Sequence, residues 1–316
     1  MKPLRLAVIG AGSFGRNHIR VIREMQGVEL AAIIDQDIDR ARQAAGDNTP
    51  GFASVGEALG SFDAAVVATP TVTHEQLATQ LLNAGIDLLV EKPIAASSSA
   101  GEHLARLAQE RGRILQVGHL ERFNPAVIAL ERALTLPLFF EIHRLSVFSP
   151  RSLDIDVVLD LMIHDLDIVL SFTRQLPEEI RAAGISILSR QVDIANVRLA
   201  FANGCIANLT ASRVSTEKVR KLRVFQPGEY ISLDYQRRDA VRLAVKNGAI
   251  AYEPLPVTQG EPLALELAAF VAAVSDRTAP LVDGFQAANA LRVAEAILVK
   301  IKDHVELVSE TVRRRG

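Results

Sequence analysis

What this chain has little of narrows its function before any motif is read. Cys205 is the only cysteine among 316 residues, so a disulfide framework and a cysteine metal site are both excluded. Its setting, "FANGCIANLT", reads as a small core residue, not a nucleophile. Excess charge is also missing: 35 Lys and Arg against 37 Asp and Glu leave a formal net charge of −2. Nucleic acid and anionic membrane therefore have no electrostatic claim, and Arg313-Arg314-Arg315 reads as a solvated end. No apolar stretch approaches the ~18–20 residues that cross a bilayer. The opening "MKPLRLAVIGAG" enters a glycine turn too soon for a signal peptide, so a cytoplasmic location is expected. The 7 histidines show no HxH or HExxH spacing. A metal hydrolase built on His119, His143, His164 and Asp160 is accordingly not favoured, and no metal is expected. Internal repeats and low-complexity linkers are lacking too, except "AASSSAG", which reads as a loop and helix cap.

What remains is an ordinary globular composition, 49% hydrophobic and 23% charged. One hydrophobic core stops growing near ~250–300 residues, so two domains are expected. In residues 1–121, near-continuous apolar runs ("LRLAVI", "VELAAIID", "FDAAVVATP", "DLLVEKP", "RILQVGH") alternate with amphipathic helical stretches. That order specifies an α/β domain with a doubly wound parallel sheet covered on both faces, here of five strands. Gly85 and Gly112 read as helix stops. In residues 122–316 the period shifts to two. Alternating segments are joined by Asn203-Gly204, Pro227-Gly228 and Asn247-Gly248, turns suited to antiparallel hairpins. This second, α+β domain is read as an open, mostly antiparallel sheet with helices near 157–172, 261–276 and 284–303.

Between the first strand and first helix lies Gly10-Ala11-Gly12-Ser13-Phe14-Gly15. Gly10 permits a tight turn, Gly12 lets the backbone approach a pyrophosphate, and Gly15 lets helix and strand pack closely. The helix N-terminus favours the phosphate charge. Asp35 ends the second strand, where a carboxylate accepts from ribose hydroxyls and repels a 2′-phosphate. NAD is therefore expected over NADP, with Arg40 on a solvated helix face. "VVATPTVTHE" brings Thr69 and Pro70 to the same cleft. His74 either starts a helix or touches the cofactor, and both readings stay open.

Two clusters carry the chemistry. Strands of a doubly wound sheet present ligands at their carboxyl ends, and Glu91-Lys92-Pro93 comes directly after the fourth run. Pro93 limits the backbone behind Lys92. In "VVLDLMIHDLDIVLSF", Asp160, His164, Asp167 and Ser171 share one helical stripe, while Asp165 lies off it. Asp160 then either orients His164 as a general base or forms a satisfied structural pair with it.

The glycine motif with Asp35, then "VEKP", then "LDLMIHD", ahead of an antiparallel second domain, resembles the glucose-fructose oxidoreductase / inositol dehydrogenase / rhizopine catabolism (Gfo/Idh/MocA) family over nearly the whole chain. The resemblance implies an NAD(P)-dependent oxidoreductase acting on a CH–OH group. It implies catalytic Lys92, Asp160 and His164, with Glu91 and Lys92 also lining the cofactor, and a homodimer or homotetramer. "QVGHLERFNPAV", residues 116–127, resembles the matching stretch of the family's UDP-N-acetylglucosamine 3-dehydrogenases. That implies a nucleotide-sugar substrate held by Lys92, His119, Arg122, Asn124 and His164, and a downstream aminotransferase serving lipid A biosynthesis. Another sugar or cyclitol dehydrogenase, or an NAD-dependent glycosidase, is the alternative.

Overall fold

Short apolar strands alternating with amphipathic helices must be covered on both faces. The computed structural model describes residues 2–148, 155–246 and 248–315. Its N-terminal part runs β1 (Leu4–Ile9), α1 (Ser13–Glu24), β2 (Val28–Ile34), α2 (Ile38–Ala45), β3 (Gly51–Phe52), α3 (Val55–Ala58) and β4 (Ala64–Val67). It continues with α4 (His74–Asn83), β5 (Asp87–Glu91), α5 (Ser98–Glu110) and β6 (Leu115–Gly118). The strands form one parallel sheet in the order β3-β2-β1-β4-β5-β6. Five strands were expected. The sixth, β3, pairs only at Ile33 and Ile34, and a two-residue strand has no period to read. β4 and β5 are buried throughout, as the apolar runs require. Gly85 and Gly112 stop α4 and α5 with φ of +80° and +60°, and Ser97 caps α5 by accepting from the Ala100 amide.

The remainder runs α6 (Pro125–Ala133), β7 (Phe139–Val147), a π-helical turn at Val158–Met162 and α7 (Ile163–Thr173). Then come β8 (Glu179–Ile185), β9 (Ile194–Ala200), β10 (Ile206–Ser215), β11 (Val219–Gln226), β12 (Glu229–Asp234), β13 (Asp239–Lys246) and β14 (Ala249–Pro254). Two helices close the chain, α8 (Pro262–Asp276) and α9 (Gly284–Arg315). The eight-stranded sheet has the order β14-β13-β12-β11-β7-β10-β9-β8. All its pairs are antiparallel except β7–β10 at its centre. Period two does the sorting: Phe140, Ile142, Val197, Leu209, Leu222 and Ile231 are buried against α6, α7 and α9, while Glu141, His143, Arg198 and Arg223 point the other way. Gly204, Gly228 and Gly248 take positive φ at three turns, and Asn247 lies outside the described residues. Cys205 sits in this core, where burial pushes its thiol up to about 11, so it is inert as a nucleophile.

The chain divides into two units, residues 1–120 with 261–288 and residues 121–260 with 289–316. The reading of 122–316 as a single domain misses this return. Leu267 and Phe270 of α8 are fully buried in one cluster with Ile19 and Ile22 of α1 and Leu6, Val8 and Leu89 of the parallel sheet. Each such side chain contributes about 1.5–3 kcal/mol, so α8 packs with the N-terminal sheet despite its place in the sequence. α9 is also longer than expected, extending through the arginine run, where Arg314 pairs with Glu310 at 3.7 Å.

The inward face of the second sheet carries charge as well as apolar residues. Arg144 on β7 continues the register of Phe140 and Ile142 and is 2% exposed. Its guanidinium donates to both oxygens of Asp165 on α7 at 2.7 Å and to Glu121 at 2.9 Å, and lies 4.8 Å from the centre of the Tyr235 ring. Burial opposes this charge, but Asp165 and Glu121 outweigh it and hold the guanidinium well above its usual range. Removing one partner of such a pair strands the other. Asp165→Ala should therefore lower the unfolding free energy by about 3–5 kcal/mol in urea titrations. Arg223→Ala, which breaks an exposed pair with Glu141, should cost less than about 1 kcal/mol.

Candidate active site

In the first unit the strand order reverses between β1 and β4, so the loops after these strands part and leave a crevice at the carboxyl edge. The glycine loop, Asp35, Thr69, Pro70, Lys92 and His119 all come after strand ends on that edge. A cavity of about 650 Å³ lies there, lined by Gly10, Gly12, Asp35, Arg40, Thr69 and Pro70 among others.

The three glycines do different work. Gly10 has φ +95°, and a Cβ there would meet the Ala68 carbonyl oxygen at 2.6 Å. A Cβ on Gly15 would stand 1.7 Å from the Gly10 carbonyl oxygen. Gly12 has ordinary extended angles and open space where its Cβ would be. Only close approach by something outside the chain gives Gly12 a reason to be glycine. Ser13 and Phe14, both exposed, begin α1 beside it. Asp35 is 7% exposed and accepts from the Ala11 amide at 2.8 Å and the Asp37 amide at 3.0 Å, so it fastens the glycine loop as well as facing the cavity. These residues fit a dinucleotide: amides at a helix N-terminus for the pyrophosphate and a fixed carboxylate for the ribose.

Arg40 departs from expectation. It is not on a purely solvated face but lines the cavity, 3.6 Å from Asp35 and 3.2 Å from Asp37. Its cation is committed to these carboxylates. His74 starts α4 and is 1% exposed, with one ring nitrogen 2.9 Å from the Pro93 carbonyl and the other 2.9 Å from the Thr69 carbonyl. Both carbonyls are acceptors, so whichever ring nitrogen carries the proton donates, and the ring sits between the loop after β4 and the segment after Lys92. Lys92 is half-buried, and Glu91 is 8% exposed with an oxygen 2.7 Å from His18 Nε2. His119 is buried directly after β6.

In the second unit, Asp160 and His164 are both half-buried, the first in the π-helical turn and the second just inside α7. A single helix over 157–172 was expected. Asp160 therefore sits in a wider turn, whereas His164, Asp167 and Ser171 keep ordinary helical spacing within α7. Asp167 turns inward, is 2% exposed and lies 3.8 Å from Arg122, itself 4% exposed. Asp165, which lies off the stripe, is the partner of Arg144. Asn124 caps α6: its oxygen accepts from the Ala126 amide, and its nitrogen donates to Glu121 and to the Tyr235 carbonyl. That amide is taken up by the helix start. Arg220 on β11, directly opposite Arg144 in register, is a cation that no sequence motif singles out. Burial and Arg144 lower its guanidinium, against the pull of Glu121, Asp165 and Asp160. Arg144 had a legible signal, a charge in an inward register of an alternating strand. Arg220 had none.

A family model described as an oxidoreductase family with an NAD-binding Rossmann fold (GFO_IDH_MocA) matches residues 4–119, and the family's C-terminal domain model matches 145–226. The UDP-N-acetylglucosamine 3-dehydrogenase of Acidithiobacillus ferrooxidans is 34% identical over 311 residues, 96% of this chain and 98% of that one. Its solved structure matches with a TM-score of 0.91 at 33% identity, covering 96% and 99% of the two chains. An inositol 2-dehydrogenase of Arthrobacter sp. is 32% identical over 54% of this chain and 55% of its own. The myo-inositol 2-dehydrogenase of Lactobacillus plantarum shares the fold, with a TM-score of 0.79 at 20% identity over 95% and 98% of the chains.

Gly12→Ala separates folding from cofactor binding. Its methyl enters open space in the free protein, so thermal stability should hold. NAD affinity, measured by calorimetry, should fall about tenfold or more, a loss of roughly 1.4 kcal/mol. Asp35→Ser releases Arg40 toward a 2′-phosphate and should narrow the preference for NAD when both cofactors are titrated.

Proposed function

Because the chain belongs to the Gfo/Idh/MocA family of NAD-binding oxidoreductases, we propose that it oxidises the C3 hydroxyl of UDP-N-acetylglucosamine to the 3-keto sugar with NAD. One observation carries the substrate. Likeness to a UDP-N-acetylglucosamine 3-dehydrogenase extends over 96% of this chain, whereas likeness to an inositol 2-dehydrogenase at similar identity stops at 54%. The fold is common to both kinds of enzyme, but sequence likeness at this level reaches the second half, the part assigned to substrate selection, only with the former.

NAD supplies the acceptor for the hydrogen leaving C3, held by the amides of the glycine loop and by Asp35. The chain's own groups handle the proton and the charge. An imidazole with an ordinary pKa near ~6.5 is a competent base at neutral pH, whereas an amine near ~10.4 starts as a cation. His164 is accordingly assigned the hydroxyl proton, with Asp160 orienting the ring. Lys92, kept protonated, stabilises the negative charge developing on the oxygen. A 3-keto sugar can be converted by an aminotransferase, and on this reading a downstream aminotransferase uses it for lipid A biosynthesis. The half-exposed face of the eight-stranded sheet is assigned to a second copy of the chain, as a dimer or tetramer, and light scattering in solution tests it.

The central test is NADH formation across a panel of nucleotide sugars, free sugars and inositols, with a carbonyl trap to draw the reaction forward. Turnover of UDP-N-acetylglucosamine is expected; its absence alongside robust turnover of an inositol would reassign the substrate. Lys92→Ala and His164→Ala should each lose about 100-fold or more in kcat with NAD affinity nearly unchanged. Asp160→Asn should lose less. If Lys92 were the base instead, the acid limb of the pH profile would persist in His164→Asn.

A further inference from the structure

Beneath the end of β5, three titratable side chains from three elements meet in a dry place. His18 of α1 is 0% exposed, Glu91 of β5 is 8% and Glu266 of α8 is 1%. Their nearest nitrogen and oxygen atoms lie within 4.8 Å of one another. His18 Nε2 and Glu91 Oε1 are 2.7 Å apart, whereas Glu266 Oε1 has no hydrogen-bond partner among the described residues. The neighbouring β6 contributes Gln116, whose amide donates to the Glu266 backbone carbonyl at 3.1 Å and which brings no charge. The other charged groups joining these elements lie away from the cluster: Arg20 with Glu261 at the start of α8, and Arg277 with Asp87 at 2.6 Å at the far end of β5.

Two carboxylates this close and this dry cannot both be ionised without a cation. Glu91 has the imidazole at hydrogen-bond distance; Glu266 Oε1 has no such partner among the described residues. We propose that Glu266 is a positioning residue, held as an uncharged acid over the Glu91–His18 pair, which clamps the end of β5 that carries Lys92 to the dinucleotide-binding helix α1. This role rests on the assignment of Lys92 to the reacting oxygen. Burial, and then the charge on Glu91, push the Glu266 carboxyl well above the usual carboxylate range, in keeping with this geometry. A divalent ion would also neutralise the cluster. Yet His18 and Glu91 stand at hydrogen-bond distance from each other, so each already has a partner in the other.

The clamp has a defined pH sense. A carboxyl whose folded pKa is raised stabilises fully below its ordinary value of 4.5 and loses that contribution as pH rises through the raised value. Glu266→Gln keeps the shape and the donor but cannot ionise. The melting temperature of Glu266→Gln minus that of the natural protein should therefore grow as pH is raised from about 5 to about 9. A difference that stays constant overturns the proposal. Infrared spectra at neutral pH should show a protonated-carboxyl band in the natural protein that Glu266→Gln lacks; no such band also overturns it. Neither measurement uses a sugar, so both stand apart from the substrate assignment. Glu266→Leu, which removes the donor, should lower kcat for the sugar that the protein oxidises by about tenfold, with NAD affinity within about twofold. Undiminished kcat overturns the positioning role. So does a stoichiometric divalent metal whose removal by chelator lowers the melting temperature.

Discussion

A carboxylate removed from water costs several kcal/mol unless a cation or a proton donor meets it inside the protein. This chain places such a carboxylate next to each of its two candidate reacting side chains. Glu91 precedes Lys92 and is met by His18 and Glu266; Asp165 comes just after His164 and is met by Arg144. Burial forces each carboxylate into a fixed arrangement. The adjoining residue inherits that fixity through the backbone, so the groups that must be aimed are anchored by neighbours that do no chemistry. The Arg144 pair also spans β7 and α7, which sets the helix carrying His164 against its own sheet.

The parallel sheet contributes a different constraint. Every strand of the first unit runs the same way, so every strand end delivers its next residue to one edge. Gly10, Asp35, Thr69, Lys92 and His119 are scattered across more than a hundred positions of sequence and share that edge for this reason alone. The reversal of strand order between β1 and β4 then opens space for a ligand, and Gly12 leaves it unfilled.

α8 shows how packing overrides chain order. Its apolar stripe, Leu263, Leu267, Phe270 and Val274, is what the N-terminal sheet needs to cover the face that α1 leaves bare. Glu266 rides in on that stripe. A lone acid among apolar residues at helical spacing is a readable oddity, but its partners, His18 and Glu91, lie far earlier in the chain.

Sequence alone determined the fold class, the glycine turn with Asp35, the helix stops at Gly85 and Gly112, the hairpin turns and the Glu-Lys-Pro strand end. Each depends on residues within a few positions of one another, where backbone sterics and hydrophobic period act. The family was legible for the same reason, since its motifs are short and ordered. Tertiary structure decided the rest. β3 exists only because β2 offers it an edge. A π-helical turn stands before α7 where ideal spacing predicts one continuous helix. Arg40 lies against Asp35 in the cavity, Asn124 is taken up as a cap, and Asp165 is a buried ion partner. These depend on what sits opposite in space, and pairing energies between residues tens or hundreds of positions apart leave no local period to read.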